Sequence, residues 1–207
     1  MRRPAALAAL GLLLPALLAG CGGSASGDGG SFAGSKVDPP FTVAPITLTD
    51  TAGDSYELAD GGGTGAKLTL AFFGYTHCPD VCGLVMGNLA AAMTRLSESD
   101  REQVQVVFVT TDPARDDEQV LRRYLDRLDP DFEGLTGDLD DIAALGKSVA
   151  VGVTDGQKLP SGGYDLNTHS TQVTGIEDGE APVFWSQSTS AAQFAADIHT
   201  VLTQGVP

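Results

Sequence analysis

Residues 68–73 form an apolar run that leads into Gly74-Tyr75-Thr76-His77-Cys78-Pro79-Asp80-Val81-Cys82. Such a run reads as a buried strand, and the turn behind it delivers two thiols to the start of a helix. Helical spacing follows, with apolar residues at Leu84, Val85, Leu89, Ala92, Met93 and Leu96. This predicts a helix over 82–96. The β-branched run at 104–109 suits a central parallel strand. Val120, Leu121, Tyr124, Leu125 and Leu128 then mark a second helix over 117–128.

The remaining elements fall around this frame. Strands are expected at 46–49 and 55–58, followed by a glycine-rich turn at 61–65. Asp138 caps a shorter helix that runs through 145–149. Strands at 151–154 and 172–176 come next, and Asp178-Gly179 turns the chain into another at 183–186. Ser190 caps a last helix that ends near Leu202. The order predicts an α/β chain of thioredoxin-like fold: a central mixed sheet flanked by helices, parallel in its first half and with a β-hairpin in the second.

The N-terminus reads as an export signal. Arg2 and Arg3 precede an apolar stretch at 5–18 that Pro15 interrupts, shorter than the ~20 residues a spanning helix needs. It ends in Leu18-Ala19-Gly20-Cys21, which resembles the lipobox of bacterial lipoproteins, where the cysteine becomes the acylated first residue. The expected organisation is a signal peptide at 1–20, a flexible Gly/Ser-rich tether at 21–40 and one domain at 41–207. The domain would be lipid-anchored at the cell membrane on its extracytoplasmic side. Formal charge is −15, and loss of Arg2 and Arg3 with the leader makes it −17. So acidic a surface repels phosphate backbones and argues against nucleic acid as a partner.

Of the three cysteines, lipidation of Cys21 leaves only Cys78 and Cys82. One closely spaced pair does not staple a domain of this size, so the pair points to chemistry. Positions i and i+4 share a helix face. Two sulfurs so placed either close a disulfide or grip one soft metal ion. Amides at a helix start favour the thiolate that both chemistries require. Of the three histidines, His77 adjoins Cys78 on an extended loop and reads as exposed or backing the site. His199 falls in the last helix, as a structural or solvent-facing residue. His169 lies in a polar loop feeding the hairpin, and in a thioredoxin-like sheet that loop approaches the thiol turn.

Residues 72–82 resemble the signature of the Sco/SenC family of exported copper chaperones. Val109-Thr110-Thr111-Asp112-Pro113-Ala114-Arg115-Asp116 is similar to that family's Asp-Pro-x-Arg-Asp block. Gly134-Leu135-Thr136-Gly137 and His169-Ser170 match two more blocks in the expected order. The resemblance implies that Cys78, Cys82 and His169 bind copper, as Cu(I) or Cu(II), with Asp112 near the site and influencing it. It further implies delivery to the dinuclear copper site of a haem–copper (cytochrome c) oxidase during assembly, with that oxidase's copper-site subunit as partner. The alternative is a thiol-disulfide oxidoreductase that reduces the cysteines of the same target, itself served by a thioredoxin-like reductant. A peroxiredoxin-like peroxidase is a third class, but neither the cysteine spacing nor the His169 block supports it. Gly83 departs from the pattern, since the family commonly has proline after the second cysteine. That change loosens the first helical turn.

Overall fold

In the computed structural model of the chain, residues 31–153 and 170–207 are described. The 1–20 leader, residues 21–30 of the 21–40 tether with Cys21 among them, and His169 lie outside them. The central strand is β4 (Leu68–Gly74), buried at every position. Alternate side chains of a strand point to opposite faces, and here both faces are covered. Leu68, Leu70 and Phe72 enter one core, Ala71 and Phe73 the other.

The first core is closed by three helices: α1 (Val81–Met93), α3 (Glu118–Leu125) and α5 (Ala191–Gln204). They contribute Val85, Met86, Leu89, Leu121, Leu125, Phe194 and Ile198. On the opposite face α4 (Leu139–Ser148) supplies Ile142 and Leu145. A one-turn helix, α2 (Glu98–Arg101), precedes β5 (Val104–Thr110). β5 runs parallel to β4, from Leu68 opposite Val104 to Gly74 opposite Thr110. β6 (Glu133–Thr136) continues the parallel set beside β5. On the other side β7 (Val173–Glu177) pairs antiparallel with β4, and β8 (Glu180–Trp185) completes the hairpin. Short strands β2 (Thr47–Asp50) and β3 (Ser55–Glu57) extend the far edge. With β1 (Ser35–Thr42) the order is β1-β8-β7-β4-β5-β6-β2-β3. The mixed sheet, flanking helices and hairpin are those expected from the sequence.

Four details differ from the sequence reading. β1 begins at Ser35, inside the stretch assigned to the tether, because Ser35 and Lys36 pair with Phe184 and Val183 on β8. The ladder then shifts register between Lys36 and Phe41, across Pro39 and Pro40, which have no amide hydrogen to give it. The strand expected at 151–154 is reduced to an isolated bridge at Val153, with Thr154 outside the described residues. Its backbone is used otherwise: Ala150 takes a left-handed φ of 58° and the Val151 amide donates to the Gly146 carbonyl at 2.8 Å, closing α4. Asp138 occupies the N-cap position of α4 without a side-chain capping bond, whereas Asp117 and Ser190 cap α3 and α5 through theirs. Lastly α1 ends at Met93, short of Leu96.

The N-terminal edge is fastened by one carboxylate. Asp197 on α5 is 3 % exposed, and its Oδ2 accepts from the amides of Ala33 and Gly34 at 2.9 Å and from Trp185 Nε1 at 2.8 Å. Asp197→Ala strips the partner from three donors at once. Unfolding free energy should fall by about 2–4 kcal/mol, measured as a lower urea midpoint at unchanged slope. A midpoint equal to that of the parent chain would show that the three donors find other partners.

Candidate functional site

The thiols sit where β4 gives way to α1. Cys78 lies in the connecting loop and is partly exposed, while Cys82 is the second residue of α1 and 1 % exposed. Both are free thiols. Cys82 owes its position to Gly74, the last residue of β4. A Cβ there would stand 3.0 Å from Cys82 Sγ and 2.8 Å from Phe72 Cε1, so only glycine lets the sulfur settle against the strand end.

Asp116 holds the loop. It is fully buried, yet its carboxylate accepts from the Thr76 amide at 2.8 Å, the Thr76 hydroxyl at 2.6 Å and the Thr110 hydroxyl at 2.8 Å. Its backbone carbonyl accepts from Thr136 Oγ1 at 3.0 Å. One residue therefore ties the thiol loop to the ends of β5 and β6. The sequence offered Asp116 only as one letter of the Asp-Pro-x-Arg-Asp block, with no role attached. Thr76 and Tyr75 were likewise unassigned.

The two sulfurs form an unequal pair. Cys78 is pulled down to about 5, first by the hydrogen bond it receives from the Cys82 thiol and then by backbone amides of Asp80, Cys82 and Val81, against the opposing effect of burial. The Cys82 amide lies 3.5 Å from Cys78 Sγ. Cys82 is pushed up, by the same hydrogen bond and by burial. At neutral pH the site holds one thiolate, at Cys78, and one thiol, at Cys82. Tyr75, 7 % exposed, also hydrogen-bonds to Cys78, and burial followed by the two sulfurs pushes its phenol up to about 12. Tyr124 closes the site from α3. Its hydroxyl is buried without a hydrogen-bond partner among the described residues, and burial, then the charges of Cys82 and Cys78, push its pKa up.

The other sequence candidates fall as follows. Asp112 opens the turn that ends at Asp116, its carbonyl accepting from the amides of Arg115 and Asp116 at 3.0 Å each. Its carboxylate forms an ion pair with Arg115. Arg115 in turn acts electrostatically on Tyr75, so Asp112 reaches the thiols through Arg115 and Tyr75. His77 is 60 % exposed, with Nδ1 3.0 Å from Thr76 Oγ1 and 3.7 Å from Asp116 Oδ1, and so backs the loop. His199 pairs with Asp100 at 2.9 Å, linking α5 to α2 away from the thiols. His169 lies outside the described residues. Among those that are described, no three His, Cys, Asp or Glu side chains are grouped to hold a metal ion. No described helix is long and apolar enough to cross a membrane.

The alkylation profile of Cys78 follows from this pairing. A group with a lowered pKa reacts as thiolate above that value and loses reactivity as pH falls through it, so iodoacetamide labelling of Cys78 should hold its plateau at neutral pH and fall with a midpoint near 5. Cys82→Ala removes the donor and should move that midpoint upward, as followed by mass spectrometry. A parent midpoint in the ordinary thiol range of about 8.5 would refute the shared-proton arrangement.

Comparison with known proteins bears on the family and the fold. A family model described as SCO1/SenC matches residues 35–203. A mitochondrial SCO2 homologue from Mus musculus is 34% identical over 155 residues, covering 74% of this chain and 59% of that protein. The chain spans between 25% and 59% of the length of the curated relatives it matches. Among solved structures, apo Sco1 from Thermus thermophilus superposes with a TM-score of 0.72 at 28% identity, over 83% of this chain and 97% of that one. ScoI from Bradyrhizobium japonicum, solved with copper bound, gives 0.64 at 30% identity, over 76% and 98%.

Proposed function

Because the chain belongs to the SCO1/SenC family, we propose that it is a copper-binding metallochaperone. In this reading Cys78, Cys82 and His169 hold the ion and pass it to the dinuclear copper site of a cytochrome c oxidase during assembly. The observation that carries the reading is the pair of free thiols four residues apart at the start of α1, with the Cys82 amide 3.5 Å from Cys78 Sγ. Two thiolates and an imidazole make a three-coordinate soft donor set suited to Cu(I). Structural zinc calls for a fourth protein ligand. The Bradyrhizobium relative, 30% identical, was solved with copper bound.

The sheet register favours the third donor. Val173, four residues after His169, pairs with Phe72 at the thiol end of β4. Ser170, which follows His169 directly, bonds to Gly152, its amide to the carbonyl at 3.3 Å and its hydroxyl accepting from the amide at 3.2 Å. The chain thus returns to the sheet at the end where the thiols stand. Copper entry at the thiolate displaces the Cys82 proton, so loading weakens as pH falls.

A second reading rests on the same low pKa of Cys78. As a thiol-disulfide oxidoreductase, the Cys78 thiolate attacks one sulfur of a target disulfide and the other leaves as thiolate. Cys82 then loses its proton and attacks Cys78, releasing the second target thiolate and leaving the Cys78–Cys82 disulfide. A target must be reduced before it takes metal, so one protein serves both steps. In either role Cys21 would carry the lipid that keeps the domain on the extracytoplasmic face of the membrane.

Anaerobic titration of the reduced protein with Cu(I) and Cu(II) tests the proposal. One copper per chain is expected, with strong sulfur-to-metal charge-transfer absorption for Cu(II). His169→Ala should weaken affinity and reshape the spectrum while the disulfide still forms, and His77→Ala should do less. A Cys78→Ser/Cys82→Ser protein that keeps the stoichiometry and spectrum would disprove the site.

A further inference from the structure

We propose that Tyr75 is a positioning residue that sets the donor strength of the Cys78 sulfur. Through it the pair favours the dithiol over the disulfide and, when it holds copper, Cu(I) over Cu(II). The copper half rests on the reading of the thiols as the metal site; the dithiol half needs no metal.

A turn brings the two residues together. The Tyr75 carbonyl accepts from the Cys78 amide at 3.1 Å, so residues 75–78 close a turn whose ends lie within about 7 Å of each other. Thr76, inside that turn, is held by the Asp116 carboxylate, through its amide at 2.8 Å and its hydroxyl at 2.6 Å. The turn therefore has little freedom to open. Tyr75 itself is buried, and its phenol donates to the Cys78 sulfur. One residue thus grips Cys78 twice, at the backbone and at the sulfur.

The donors to this sulfur are not equivalent. The Cys82 thiol donates only while it keeps its proton. Metal capture and disulfide closure both remove that proton, and the bond goes with it. The Cys82 amide, 3.5 Å from Cys78 Sγ, belongs to the backbone of α1 and cannot be withdrawn. Among the described residues, Tyr75 is then the side chain still donating to Cys78 once Cys82 has ionised. Arg115 makes it a better donor, because the positive charge acts on the phenol in the opposite sense to the sulfurs.

A hydrogen bond draws charge from a thiolate and weakens it as an electron donor. Cu(II) takes more charge from sulfur than Cu(I) does, so the bond disfavours Cu(II) more; hydrogen bonding around a cysteine sulfur is one of the levers on a copper potential. An ionised sulfur also accepts more strongly than a neutral disulfide sulfur. The same bond therefore stabilises the reduced pair.

Tyr75→Phe removes the hydroxyl and keeps the ring. Reduced protein is equilibrated anaerobically with mixtures of oxidised and reduced glutathione, and dithiol and disulfide are counted by mass after alkylation. In that exchange the cysteine pair passes two electrons, with its proton, to oxidised glutathione, which is released as two molecules of the reduced form. The equilibrium constant for forming the Cys78–Cys82 disulfide should rise about two- to tenfold in Tyr75→Phe, the range for losing one hydrogen bond. Tyr56→Phe is the control. That hydroxyl is buried without a partner among the described residues, on β3 at the far edge of the sheet, and its loss should leave the equilibrium where it was. With copper, Tyr75→Phe should move the sulfur-to-Cu(II) charge-transfer band to longer wavelength and raise Cu(II) affinity relative to Cu(I) by a similar factor. An unchanged glutathione equilibrium overturns the proposal, as does an equal shift in Tyr56→Phe. A charge-transfer band that stays in place overturns its copper half. A parent protein that takes up no copper at the thiols refutes the metallochaperone reading instead, and the glutathione equilibrium alone then decides for Tyr75.

Discussion

A carboxylate without access to solvent fixes the chemistry of this domain. Burying a charge is costly unless it is fully hydrogen-bonded, and Asp116 meets that requirement through Thr76 and Thr110. Those partners belong to different segments, so the bonds form only when the thiol loop, the end of β5 and the turn from Asp112 have all arrived. Thr76 stands two residues before Cys78, and its fixed backbone sets where the chain turns into α1. The start of α1 then determines which amides face the Cys78 sulfur. The electrostatics at the thiols are thus inherited from a hydrogen-bond cluster that contains no sulfur.

The two cysteines divide their duties because they cannot both be charged cheaply. Like charges at close range raise each other's pKa, and the pair resolves this by keeping one proton on the buried sulfur. Gly74 allows that sulfur to sit against the strand end, away from water, where a thiol is preferred to a thiolate. Cys78, half in solvent and facing helix amides, takes the charge. Such a pair titrates as a unit. Binding of a soft cation relieves the repulsion that holds the proton in place.

The fold was legible where one physical signal dominated. β4 and β5 are long apolar runs, and α1 and α3 have periodic faces, so their existence follows from burial alone. β1 was misread because Asp38-Pro39-Pro40 has the composition of a tether. Its strand character comes from β8, 140 or so residues away, and not from its own residues. The stretch at 151–153 has the residues of a strand but spends its backbone on closing α4. At the site, the thiols and the Asp112–Asp116 block were visible as letters. Which of the two aspartates turns inward was not, because that depends on how the turn between them directs each side chain. The structure sends Asp116 inside and pairs Asp112 with Arg115.

Copper binding and disulfide exchange would begin alike at such a pair. The exposed partner in both is Cys78, already deprotonated, and a thiolate of low pKa is always available but is a modest nucleophile and a good leaving group. Those properties suit a sulfur that must release what it has captured, whereas in the closing step Cys82 attacks Cys78 and the target sulfur is the one that leaves. Both paths then wait on the Cys82 proton, held by burial and by the bond to Cys78. Once Cys78 is occupied, by copper or by a target sulfur, its negative charge no longer holds that proton, and Cys82 becomes easier to ionise. The second step is thereby conditional on the first, which protects the pair from premature closure. What would separate the two outcomes is a third donor: an imidazole, as proposed for His169, would stabilise a captured ion but add nothing to a sulfur–sulfur bond.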